Sequence, residues 1–127
     1  MDLTHLGKQS QDPVDRVEIV PWSGSPVRVT LSCSEFTSHC PVTRQPDFAR
    51  FTIEYIAKDG IVETKSMKLY LWQFRDRAEF NERLTESIAA DLYDQIDPYA
   101  IRVTGQFNPR GGISVTAVCS YGEVDKL

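Results

Sequence analysis

Two blocks of period-two alternation bracket one block of helical period, and that order constrains the fold more than any other feature of the chain. Val27, Val29, Leu31 and Cys33 share one face of a segment whose other face carries Arg28, Thr30 and Ser32, the pattern of a half-buried strand. Residues 48–57 repeat it, with Phe51, Ile53 and Tyr55 opposite Thr52 and Glu54. The turn signal Lys58-Asp59-Gly60 predicts an antiparallel return at Ile61 and Val62. The period then changes. Met67, Tyr70, Leu71 and Phe74 predict a short helix, and Phe80, Leu84, Ile88, Ala89 and Leu92 predict a second over residues 76–95, capped by Asp76 and followed by Pro98. Ile101 and Val103, then Ile113, Val115, Ala117 and Cys119, return to alternation across the turn at residues 108–112.

The predicted fold class is α+β. An antiparallel four-stranded sheet in the order β-β-α-α-β-β would carry two helices on one face and bury one core. Its edge strands would stay open, which favours closure by oligomerisation. A chain of 127 residues fits one domain. Residues 1–15 are polar and read as an N-terminal tail, with residues 16–127 as the domain. Residues 17–20 suit a short edge segment stopped by Pro21.

The connection over residues 35–48, Glu-Phe-Thr-Ser-His-Cys-Pro-Val-Thr-Arg-Gln-Pro-Asp-Phe, is long for a compact domain. Long internal loops are functional or disordered, and Pro41, Pro46, Phe36 and Phe48 argue against disorder. Cys40 reads as a nucleophile, because a thiol before proline in a loop is not placed like a core thiol. Asp47 can curl back as its acid/base partner, and Arg44 offers positive charge. His39 is adjacent to Cys40 and points the other way in an extended segment. Lys65 and Lys68 are three apart at a helix start, where they oppose the helix dipole and suit anions. Glu63, Glu82 and Arg110 beside Gly111-Gly112 complete the candidates.

A net charge of −4 argues against a general nucleic-acid binder. No apolar run is long enough to span a membrane, and Met1-Asp2-Leu3-Thr4-His5 lacks a signal peptide's features. Three cysteines without a secretion signal predict free thiols and a cytoplasmic setting. No Cys-x-x-Cys or His-x-x-x-His pair occurs, so no metal site is expected.

The run Glu-Thr-Lys-Ser-Met-Lys-Leu-Tyr over residues 63–70 resembles the signature of the NADPH-dependent 7-cyano-7-deazaguanine reductases, the nitrile reductases of queuosine biosynthesis (QueF). The likeness includes residues 36–48 upstream and Arg-Val-Thr-Gly-Gln-Phe-Asn-Pro-Arg-Gly-Gly over residues 102–112 downstream. Three separated motifs in register make it specific, over roughly residues 27–119. It resembles the short, single-module form of the family.

The resemblance implies a tunnelling fold whose sheets pool into a barrel, with two rings stacked as a decamer of two pentamers and active sites between subunits. It implies that Cys40 adds to the nitrile carbon to form a thioimide and that Asp47 protonates the nitrile nitrogen. It implies that Glu63 and Glu82 hold the deazapurine nitrile, with Asn81 and main-chain contacts near Val62 and Thr64. Lys65, Lys68 and Arg110 would meet the phosphates of NADPH, and without a Gly-x-Gly-x-x-Gly motif the cofactor is not held in the Rossmann manner. Asn81 stands where the family usually has histidine, and Thr64 where serine is commoner. Asparagine hydrogen-bonds but carries no proton. The rival readings are an amidine synthase of the same superfamily, adding ammonia to the thioimide on nucleic acid, and a non-catalytic purine-binding module. The amidine synthases generally lack the lysine-bearing signature, so Lys65 and Lys68 favour the reductase.

Overall fold

A computed structural model describes residues 13–127. Strands β2 (Arg28–His39), β3 (Pro46–Ile56), β5 (Ala100–Arg110) and β6 (Ile113–Gly122) form one antiparallel sheet in that order. Strands β1 (Ile19–Pro21) and β4 (Gly60–Val62) form a separate two-stranded ladder. Helices α1 (Thr64–Trp72) and α2 (Asn81–Ile96), joined through a 3₁₀ turn at Gln73–Asp76, cover one sheet face. This is an α+β chain whose main sheet and helices follow the β-β-α-α-β-β order of a tunnelling fold.

The core follows the alternation. Phe51, Ile53 and Tyr55 of β3 and Ile101 and Val103 of β5 are fully buried. They meet Leu84, Ile88, Ala89 and Leu92 of α2, positions three and four apart on one helical face. Phe36 lies 4.5 Å from Phe51, and Phe51 meets Phe107 edge-on at 5.6 Å. This row welds β2, β3 and β5 together at the end of the sheet that carries the β2–β3 and β5–β6 hairpins.

Three expectations are corrected. The long loop over residues 35–48 is instead the end of β2, a turn at residues 40–45 and the start of β3. The cause is a bulge: β2 uses three steps from Cys33 to Phe36 where β3 uses two from Phe51 to Ala49. The extra residue flips the phase, so Phe36 and Ser38 face inward and the simple alternation breaks at Cys33. Second, α2 starts at Asn81, not at residue 76. Asp76 ends the 3₁₀ turn, and Phe80, expected in the buried stripe, is the exposed N-cap. The His39 amide donates to the Arg77 carbonyl at 3.0 Å and His39 bridges Ala78, holding residues 77–80 extended against the end of β2. Third, Ile61 and Val62 return against β1, not β3. A Cβ on Gly60 would stand 2.3 Å from Ile19 Cγ2, so only glycine admits this approach.

Residues 1–12 of the expected tail lie outside the described residues. The Val14 amide donates to the Leu69 carbonyl at 3.3 Å, and Val17 is buried in the core. Among the described residues no helix is long and apolar enough to cross a membrane, and no cluster of His, Cys, Asp and Glu is arranged to hold a metal ion.

Gly105 sits where β5 passes beneath α2. A Cβ there would lie 2.9 Å from Phe107 Cε2 and Thr85 Oγ1 and 3.0 Å from Phe51 Cε1. Gly105→Ala is therefore expected to overpack the core and cost about 1–3 kcal/mol, read as a lower denaturant midpoint at unchanged slope.

Candidate active site

The turn after β2 is built to hold a thiol. The Cys40 amide donates to the Gln45 carbonyl at 3.0 Å, and the Arg44 amide returns to the Cys40 carbonyl at 2.9 Å. Arg44 takes φ 62°, the left-handed conformation needed to close so short a turn. The Thr43 Oγ1 accepts from the Gln45 amide at 3.3 Å. The Thr43 hydroxyl and the amides of Thr43 and Val42 converge on the partly exposed Cys40 thiol and draw its pKa below the ordinary value of 9.0. Residual burial and the Asp47 charge oppose them. A lowered pKa raises the thiolate fraction, which is what a nucleophilic role requires. Burial instead pushes the Cys33 thiol up, as suits an inert, partly buried residue. Sequence reading missed Thr43; its only signal was a hydroxyl three residues after a loop cysteine.

Asp47 is buried near the start of β3. Its Oδ1 accepts from Arg110 Nε at 2.5 Å. Arg110 Nη1 donates to Gln45 Oε1 at 2.7 Å, and Nη2 donates to the Pro46 carbonyl. Strands β3 and β5 are neighbours, so their ends bring the two hairpin tips together. Arg110, expected at the cofactor phosphates, thus clamps the candidate acid and its loop. It precedes Gly111 and Gly112, both at positive φ with open space around them. Ser38 is the register partner of Asp47 on β2. Its buried Oγ has no hydrogen-bond partner.

A second group lies at the start of α1. Glu63 is its N-cap, with Oε2 accepting from the Lys65 amide at 2.7 Å and Oε1 from the Ser66 amide at 2.9 Å. The Glu63 amide donates to the Glu18 carbonyl at 2.9 Å, and the Ser66 hydroxyl donates to the Glu63 carbonyl at 2.7 Å. The Val62 amide donates to the Tyr55 hydroxyl at 2.9 Å. Thr64 and Lys68 line a cavity of about 560 Å³ between β2 and α1, with Trp72 and Arg75. Lys68 Nζ lies 4.6 Å, and Arg75 Cζ 5.0 Å, from the Trp72 ring centre. Lys65 is half-buried on the same first turn.

The structure joins Cys40, Asp47 and Arg110 but does not bring Glu63 to them. Helix α1 and the 3₁₀ turn lie between Glu63 and Arg77, whose carbonyl accepts from the His39 amide. Asn81 and Glu82 belong to the Cys40 end, three and four residues after Ala78, which bridges His39. Glu82 is exposed in the first turn of α2, and the Asn81 carbonyl accepts from the Thr85 hydroxyl at 2.9 Å.

A four-stranded antiparallel sheet backed by two helices, with a partly exposed hairpin cysteine near a buried aspartate, defines a tunnelling fold with a candidate thiol nucleophile. Residues 46–126 match the family described as QueF-like protein, and the chain belongs to that family. It is 48% identical over 98 residues to the NADPH-dependent 7-cyano-7-deazaguanine reductase of Bdellovibrio bacteriovorus, covering 77% of this chain and 58% of that protein. It is 50% identical over 94 residues to the enzyme of the same name from Bacillus cytotoxicus, covering 74% and 57%. The counterpart from Parabacteroides distasonis is 48% identical over 99 residues, covering 78% and 63%. The chain thus spans about six-tenths of the length of these relatives. In fold it resembles the apo archaeosine synthase QueF-Like, with a TM-score of 0.68 and 23% identity over 80% of this chain and 97% of that one.

Thr43→Val removes the strongest stabiliser of the Cys40 thiolate. Its pH profile of iodoacetamide alkylation is expected to move to higher pH, with slower modification at neutral pH, while wild-type Cys40 reacts before Cys33. Glu63→Ala strips two amides of their acceptor and is expected to cost about 0.5–2 kcal/mol of stability, measured by denaturant unfolding.

Proposed function

We propose that this chain is an NADPH-dependent nitrile reductase that converts 7-cyano-7-deazaguanine to 7-aminomethyl-7-deazaguanine in the cytoplasm, for queuosine modification of tRNA. The observation that carries the reading is a partly exposed Cys40 thiol on the same hairpin as the buried Asp47, whose Oδ1 accepts from Arg110 Nε. The Cys40 thiolate adds to the nitrile carbon, one carbon–nitrogen π bond breaks, and the nitrogen takes a proton from the Asp47 carboxyl. The product is a thioimide on Cys40. Bound NADPH would supply the hydrides, two for the four-electron reduction. Cys40 leaves as thiolate when the thioimide carbon has been reduced.

Lys65 and Lys68 fit the phosphates of such a cofactor. Lys68 and Arg75 have no carboxylate partner among the described residues and flank Trp72 beside a cavity wide enough for a nucleotide portion. Arg110 serves the same anion when it leaves Asp47. Glu82 and Asn81 meet the deazapurine edge at the Cys40 end, where a carboxylate accepts two hydrogen bonds. Glu63, Thr64 and the Val62 main chain complete the pocket from a second copy, since within one chain α1 and the 3₁₀ turn lie between them and the Arg77 contact beside Cys40. Open edges on β2 and β6, and exposed Ile113 and Val118 on β6, suit a homo-oligomer, taken here as two stacked pentamers.

The test begins without cofactor. Wild-type protein mixed with 7-cyano-7-deazaguanine is expected to gain the mass of the nitrile, and Cys40→Ala to gain nothing. Asp47→Ala is expected to slow adduct formation by about 10²–10⁴-fold. With NADPH added, nicotinamide absorbance should fall. An ammonia-dependent product without NADPH loss would instead mark an amidine synthase, and neither signal a binding module.

A further inference from the structure

Asp47 lies on the strand between two potential partners and is bonded to only one of them. On the β5 side, Arg110 holds Oδ1 and also reaches Gln45 and the Pro46 carbonyl. On the β2 side, Ser38 stands directly opposite in register. Ser38 is 1% exposed, faces the same interior as Asp47, and its Oγ has no partner. Buried hydroxyls are almost always satisfied, so an orphan calls for a reason. Directly opposite residues on one sheet face have Cβ atoms about 4.5–5.5 Å apart, within reach of a side-chain rotation. Arg110 is 39% exposed and leads into two glycines in open space, so it is the partner free to depart.

We propose that Ser38 is a positioning residue, the inward station that receives the Asp47 carboxyl when Arg110 turns to an anionic ligand. In this structure Arg110 Nε donates to Oδ1 and holds the carboxyl at the hairpin tip. An anion at the Gly111–Gly112 tip draws the guanidinium away. The carboxyl then rotates between strands and hydrogen-bonds Ser38 Oγ. After the proton passes to the substrate nitrogen, the Ser38 hydroxyl donates to the carboxylate left behind. This rests on the reductase reading for the proton transfer, but the two stations themselves do not.

Two experiments separate the claims. A crystal structure of Arg110→Ala is expected to place an Asp47 oxygen about 3 Å from Ser38 Oγ. Asp47 turned to solvent with Ser38 still unpartnered would overturn the proposal, whatever the enzyme's substrate. In turnover of 7-cyano-7-deazaguanine, Ser38→Ala is expected to lose about 10–100-fold in kcat with little change in KM, the worth of a hydrogen bond to a charged group. Ser38→Thr, which keeps the hydroxyl, should recover most of it. Because Ser38 Oγ has no hydrogen bond to lose, Ser38→Ala should melt no lower than wild type. An unchanged kcat sinks the positioning role. If wild type leaves the nitrile untouched, the reductase reading fails and the Arg110→Ala structure still decides the two stations.

Discussion

Strand β3 is hydrogen-bonded on both sides, to β2 and to β5, and the candidate chemistry hangs on that double pairing. Pairing with β2 turns residues 40–45 into a hairpin tip closed by the Cys40–Gln45 and Arg44–Cys40 main-chain hydrogen bonds. Pairing with β5 lays the Arg110 tip beside Asp47. The aromatic row Phe36, Phe51 and Phe107 crosses the same three strands beneath these tips and fixes their spacing. A loop on a looser scaffold would not hold Cys40 and Asp47 to a common geometry.

The sheet and helix order was legible because burial obeys simple periods: Phe51, Ile53 and Tyr55 at period two, Leu84, Ile88 and Leu92 at helical spacing. What stayed hidden was where a period slips. The bulge between Cys33 and Phe36 breaks the alternation of β2, so a continuous strand reads as a strand followed by a loop. A second slip between Phe107 and Arg110 falls at Pro109, which has no amide to give to the ladder. Both slips lie toward the hairpin end that carries the candidate site, and each re-aims the residues beyond it.

Site residues were legible in the same uneven way. Cys40 and Asp47 stood out because a thiol and a carboxyl flank prolines in one short stretch. Thr43 and Ser38 did not, since a hydroxyl gives no sign in sequence of whether it faces a sulfur or an empty interior. The clamp of Arg110 on Asp47 spans 63 residues, and only the β3–β5 register brings it about. Glu63 illustrates the opposite hazard. A carboxylate that looks free in sequence to bind a ligand already accepts from two amides of α1.

The β2–β3 and β5–β6 hairpins close over short stretches of chain, whereas β3 and β5 meet only after both helices have been threaded between them. Loop-closure entropy sets that meeting late in folding. The turn that holds Cys40 is local to its own hairpin, whereas Asp47 is fastened only through the distant Arg110. The order of contacts along the chain thus separates the two halves of the candidate site, one made by neighbours in sequence and the other by residues 63 apart.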